Sequence, residues 1–86
     1  MMNKRRPTVR QREPEDWAAL SKGLLKAELV KRGIGYQQLA KLLEKVGVRY
    51  TAENLTNKIN RGRFSTVFLL QCLEAIDCKV LRVADE

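Results

Sequence analysis

Between Gly35 and Gly62 the chain reads GYQQLAKLLEKVGVRYTAENLTNKINRG, and no other stretch constrains the fold as much. Apolar residues recur at helical spacing on either side of Gly47: Tyr36, Leu39, Leu43 and Val46 before it, Ala52, Leu55 and Ile59 after it. Each set lines one face of a helix with about 3.6 residues per turn. The spacing therefore predicts two short helices joined by a turn, each with one stripe to bury. Ala40 sits beside the first stripe, small enough for another helix to cross closely. Gly47 ends the first helix, and Val48 plugs the turn into the core. Thr51 starts the second, because its hydroxyl can accept from a backbone N–H two or three residues on, and Gly62 caps its end. Two amphipathic helices of this length cannot cover one another completely, so the flanking segments must supply the rest of the core.

Both flanks supply helices. Pro14 suits a first helical turn, and Glu15 and Asp16 then meet the positive end of the helix dipole. Trp17, Leu20, Leu24 and Ala27 follow at spacings of 3, 4 and 3, widened by Leu25 and Leu29. Trp17 reads as a core anchor, Lys22, Lys26 and Lys31 lie outside the stripe, and Gly33 closes the helix as a left-handed cap. After the second glycine-bounded helix, Phe64 tucks back into the core and Ser65 caps a helix over residues 65–77. There Phe68, Leu69, Cys72, Leu73, Ala75 and Ile76 cover more than half the circumference, with Gln71, Glu74 and Asp77 as a wet edge. Leu70 falls among those polar positions, which suits a subunit contact. Val80, Leu81 and Val83 form a β-prone run that either packs on the first helix or pairs as a short strand with a second chain. Residues 1–13 carry almost nothing apolar and should form a disordered basic arm: a solubilising tail, or an arm lying along DNA. The expected architecture is all-α, a compact bundle of four to five helices. One domain over 14–86 follows the arm over 1–13, as a length of 86 residues suggests.

The charge is unevenly placed. Of the net +7, residues 17–63 hold ten basic groups against three acidic ones, while residues 64–86 hold two against four. A basic surface concentrated on the helix pair favours polyanions, since each neutralised phosphate releases a counterion. Other classes are disfavoured. The chain has no histidine, which removes Ser-His and Cys-His pairs, and its two cysteines, Cys72 and Cys78, cannot make a four-ligand zinc site. Cys72 reads as a small core residue. Phosphate loops and dinucleotide glycine patterns are absent, so neither enzyme, cofactor nor small-molecule substrate is expected. Glu28 and Glu44 sit among lysines at helical spacing and read as surface pairs. The basic start is followed by no apolar run, and no stretch reaches the length of a membrane span, which points to a cytoplasmic protein.

The helix over residues 52–61 carries the functional expectation. With Leu55 and Ile59 inward, the opposite side centres on Asn57, flanked by Glu53, Asn54 and Arg61 and bordered by Thr56, Lys58 and Asn60. Asn can bond two edge atoms of adenine and Arg two of guanine. Asn is also a poor helix former, and three in one short helix suggest that function overrides propensity. Glu53, Asn54, Asn57 and Lys58 are the candidate base readers on double-stranded DNA. Gln37 and Gln38, beside unpaired N–H groups of a first helical turn, join Arg49, Arg61 and Arg63 as candidate phosphate contacts. The bland alternatives are solvated glutamines and a solvated polar face. Two functional alternatives stand beside the reading: a protein-interaction adaptor working through Leu70 and the C-terminal run, and non-specific compaction of nucleic acid. Homodimerisation through Leu70 and residues 80–83 is compatible with the first.

The order of Gly35, Leu39, Ala40, Val48, Leu55, Ile59 and Gly62, followed by a capped apolar helix, resembles the phage-repressor and Cro type of helix-turn-helix domain, the lambda-repressor-like fold. That resemblance implies a bundle of four or five helices, the third in the major groove, and usually a dimer. The chain departs from the pattern at Gly35 and Tyr36, where such domains carry Thr or Ser and Gln, and by several extra residues on each side of Gly47. More closely, the chain is similar to a family of small bacterial proteins known as a domain of unknown function. The similarity lies in Leu24-Leu25-Lys26-Ala27-Glu28-Leu29, in Asn54-Leu55 with Lys58-Ile59, in Arg61-Gly62-Arg63-Phe64-Ser65 and in Gln71-Cys72-Leu73-Glu74-Ala75-Ile76.

Overall fold

The computed structural model describes residues 13–83 and contains four helices there: α1 (Pro14–Lys31), α2 (Tyr36–Lys45), α3 (Ala52–Arg61) and α4 (Thr66–Ala75). The fold is all-helical. The arm expected over 1–13 falls, Glu13 apart, outside the described residues. The C-terminal run forms no strand among the described residues: 79–83 continue as irregular chain.

Side-chain bonds mark the starts of α1, α3 and α4. Pro14 occupies the first turn of α1, and the Asp16 carboxylate accepts from the Glu13 N–H at 3.0 Å. The Thr51 hydroxyl accepts from the Asn54 N–H, and the Ser65 hydroxyl from the Phe68 N–H, each at 3.0 Å. These bonds satisfy donors that the first turn would otherwise leave without partners.

Three of the four ends share one device. Gly33 donates to the Val30 carbonyl and Ile34 to that of Leu29; Gly47 to Glu44 and Val48 to Leu43; Asp77 to Glu74 and Cys78 to Leu73. This is the paired bonding of a Schellman motif, which places a left-handed residue just past the helix. The residue after each left-handed position, Ile34, Val48 and Cys78, packs against the core. At the end of α4 the left-handed position is held by Asp77 with φ 59°, one of the few side chains that tolerate it.

The core consists of Leu25 and Leu29 from α1, Leu39 and Leu43 from α2, Leu55 and Ile59 from α3, and Phe68 and Cys72 from α4, with Ile76 just beyond. Removing each large apolar side chain from water contributes roughly 1.5–3 kcal/mol. Helix α3 packs on both α1 and α2, and α4 packs on α2. Tyr50, Phe64 and Phe68 form an aromatic cluster, with centroids 5.4 Å apart for Tyr50–Phe68 and 5.5 Å for Phe64–Phe68.

Gly62 is the tightest joint. It sits at φ 71°, and a Cβ there would overlap the Ala18 carbonyl of α1. Both the left-handed backbone and the close approach exclude a side chain.

Several expectations are corrected. Trp17 is 55% exposed and is not a core anchor; Ala27 is also exposed, and Leu20 and Leu24 are half-buried. The buried positions of α1 are Leu25 and Leu29, which the expected stripe included, together with Glu28. The reason is length. The 18 residues of α1 span about 27 Å, against about 15 Å for each 10-residue neighbour, so its shorter partners cannot cover the whole stripe and Trp17 in the first turn stays exposed. Val46 is exposed as the cap of α2, and Leu42 packs against the core in its place. On α4, Gln71 is half-buried while Val67 joins Leu70 in solvent.

Glu28 is not a surface residue. It is 7% exposed and receives Arg32 on one oxygen and Lys31, at 3.3 Å, on the other. The hydrogen bond from Arg32, reinforced by Lys31, holds its carboxyl below the usual glutamate range. Its pairs are the i,i+3 and i,i+4 pairs that the sequence spacing suggested. The Cys78 thiol lies 3.7 Å from the same carboxylate, tying the segment after α4 to α1. Cys72 and Cys78 are both free thiols. Burial pushes the Cys72 thiol up to about 12, so it stays protonated and inert.

Candidate nucleic-acid interface

Helix α3 turns Leu55 and Ile59 inward, both fully buried, and leaves Glu53, Asn54, Asn57, Asn60 and Arg61 exposed. The inward pair is four residues apart, so at about 100° per residue the amides occupy the opposite side of the helix. None of the three asparagines is withdrawn into the protein, and the Thr51 cap leaves the Asn54 side chain free to face solvent.

The two borders of this face differ. On one side, Lys58 is half-buried, its ammonium 5.2 Å from the Phe68 ring centre and 5.9 Å from that of Tyr50. That cation–π seat anchors the lysine beside the aromatic cluster. On the other side, Asn60 accepts from the Lys26 ammonium of α1 at 2.9 Å. Thr56 donates back to the Ala52 carbonyl at 2.8 Å, so its hydroxyl is occupied within the helix.

Grooves flank α3 on both sides. Toward α2, a depression of about 310 Å³ is lined by Glu44, Arg49, Tyr50, Thr51 and Asn54. A neighbouring one of about 250 Å³ adds Gln37 and Lys41 near Ala52, at the start of α3. Toward α1, about 220 Å³ is lined by Glu15, Ala18, Ala19, Lys22, Arg61 and Arg63. The structure therefore brings Arg49 to Asn54, Gln37 to the α3 start, and Arg61 to Arg63. Gln38 is exposed in the same first turn as Gln37. The candidate phosphate contacts thus fall into two groups, one at each end of α3.

Sequence reasoning missed Lys22, Lys26 and Lys41 as parts of this surface. A signal was present: Lys22 and Lys26 are four residues apart, as are Gln37 and Lys41, so each pair shares a helix face. Ala18, the small residue over which Gly62 crosses, marks where α3 meets α1. The acids nearby are Glu53 on α3, Glu44 toward α2 and Glu15 toward α1. They stand among Lys22, Lys26, Lys41, Arg49, Lys58, Arg61 and Arg63, and do not ring the amide face.

Among the described residues no group of three His, Cys, Asp or Glu side chains is placed to hold a metal ion. No helix among them is long and apolar enough to cross a membrane.

Fold and surface together define a small all-helical domain with an amide-rich helix face between grooves that each hold at least one cation. The chain belongs to the family described as Domain of unknown function (DUF6471), which it matches over residues 17–81. No curated protein and no solved structure matches the chain.

Proposed function

We propose that this domain binds double-stranded DNA in the manner of a helix-turn-helix protein, with α3 in the major groove, and that it regulates transcription. The observation that carries the reading is the exposed Asn54, Asn57 and Arg61 face, backed by buried Leu55 and Ile59 and bordered by cations at both ends. Glu53, Asn54 and Asn57 would read base edges. Lys58 would join them only by leaving its aromatic seat. Gln37, Gln38 and Arg49 at one end, and Arg61 and Arg63 at the other, would hold the phosphates of the two strands that border a groove. The connection between α2 and α3, residues 46–51, is longer than the turn of three or four residues usual for such motifs, so α3 would enter the groove at its own angle.

The test is selection of duplexes from a random library, followed by affinity measurements on variants. An enriched sequence is expected. Asn57→Ala should lose about 1–3 kcal/mol of discrimination at one base pair. Arg63→Ala should weaken all duplexes alike. Equal affinity for every sequence would support non-specific compaction instead.

A second reading is favoured by a separate observation. Val67 and Leu70 on α4, and Val80 and Val83 beyond it, are 59–75% exposed. A homodimer contact or a protein-adaptor surface would cover them. Concentration-dependent mass measurements on the wild type and on Leu70→Ser would separate a self-contact from a surface kept for another protein.

A further inference from the structure

The asparagines on the outside of α3 are not equivalent. Asn54 and Asn57 are exposed, and among the described residues nothing bonds their side-chain amides. Asn60 is exposed too, but its Oδ1 accepts from the Lys26 Nζ at 2.9 Å, a bond that joins α3 to α1 across 34 positions of sequence.

That bond decides how the Asn60 amide is turned. A lysine ammonium has three donors and no acceptor, so only the oxygen end of the amide can face it. Lys26 is itself held in place. It is half-buried and lines an apolar groove of about 190 Å³ beside Leu29, Val30, Ile34 and Tyr36. A lysine stem can lie along such a surface while its charged head reaches outward, here to Asn60. The end of Asn60 left open is the nitrogen, which only donates.

The consequence is chemical. A free asparagine suits adenine, giving a proton to N7 and taking one from N6. At Asn60 an incoming N6 amine would meet the remaining N–H groups of the ammonium. Guanine instead presents two adjacent acceptors in the major groove, O6 and N7, and no donor. Thymine offers one acceptor beside a methyl group, and cytosine only an amine. Asn60 follows Asn57 by three residues, so the two are neighbours on the helix surface and can meet neighbouring base pairs.

We infer that Asn60 selects guanine at one position of the target, and that Lys26 is the positioning residue that turns its amide for this. The inference rests on the duplex reading of α3 and names a base that this reading leaves open.

The full chain is taken through selection from a random duplex library as wild type, Asn60→Ala, Lys26→Met and Lys26→Arg. Affinities are then measured on duplexes that differ at the selected position. The wild type should select guanine beside the position that Asn57→Ala relaxes, and bind adenine there about tenfold more weakly. Asn60→Ala should erase that preference. Lys26→Met keeps an apolar stem and removes the charge, so the freed amide should admit adenine as well as guanine. Lys26→Arg, again all donors, should keep guanine. All three should retain the wild-type helical circular dichroism, since none lies among the fully buried residues. Adenine or cytosine selected by the wild type at that position, a guanine preference untouched by Lys26→Met, or a loss equal for all four bases would overturn the inference and leave duplex binding standing. A wild type that binds no duplex would overturn both.

Discussion

Helices α3 and α4 are built alike and finished differently. Each has 10 residues, begins under a hydroxyl cap, and buries two side chains four positions apart, Leu55 and Ile59 or Phe68 and Cys72. Inside the protein they perform the same task. Outside, α3 presents amides and an arginine, whereas α4 presents Val67 and Leu70 and carries no basic residue. Packing explains the inner faces fully and says nothing about the outer ones. The outer faces differ in chemistry, and under the proposed reading they would suit different partners: a polyanion for α3, an apolar surface for α4.

The comparison can be broken most severely at the joint that holds α3 in place. Gly62→Val should abolish cooperative unfolding, because the left-handed backbone alone costs roughly 1–2 kcal/mol and the side chain also displaces α1. Loss of the thermal transition by circular dichroism checks this. Next, Phe68→Ala should cost about 3–5 kcal/mol, read by urea unfolding, since it empties the centre of the aromatic cluster and removes the ring under Lys58. The caps sharpen the likeness between the two helices. Thr51→Ala and Ser65→Ala should each cost about 1 kcal/mol, and nearly equally, because they remove equivalent bonds. Asp77→Gly should stabilise the end of α4 by up to about 1 kcal/mol, since glycine relieves the left-handed backbone at φ 59°. The gain is reduced by loss of the exposed Asp77–Lys79 pair, 2.7 Å long.

The smallest effect depends on pH. The folded-state pKa of Glu28 is depressed, chiefly by Arg32. Its contribution is complete above the ordinary glutamate pKa of about 4.3 and is lost as pH falls through the depressed folded value. Stability of the wild type should therefore drop in that acidic window relative to Glu28→Gln, and the two curves should run parallel near neutrality. Urea midpoints across the acid range measure it.

The middle of the chain was legible and its ends were less so, for physical reasons. Between Gly33 and Gly62 the glycines marked the helix ends and the apolar spacing found the buried positions, Val46 excepted; in α3 spacing, cap and stop all agreed, and that helix came out over the expected residues. The first helix was misread because its apolar residues outnumber the partners available to cover them. Periodicity finds a stripe but cannot tell which part of a long helix meets a core, so Trp17 was placed inside although Leu25 and Leu29 carry the burial. Glu28 was misread because a carboxylate among lysines looks solvated until the tail and Arg32 close over it. The exposed amides of α3 were legible from the wheel. Lys22 and Lys26 were not, since their place beside α3 depends on how Gly62 crosses Ala18.

The central claim is that the face of α3 and its flanking cations meet duplex DNA. Affinity for pooled genomic duplex fragments, measured against salt, tests it most directly. The account predicts tight binding at low salt and a log–log slope of about −0.9 for each phosphate neutralised, shallower by about that amount in Arg63→Ala. Absence of any complex at low salt, or an affinity indifferent to salt, would contradict it.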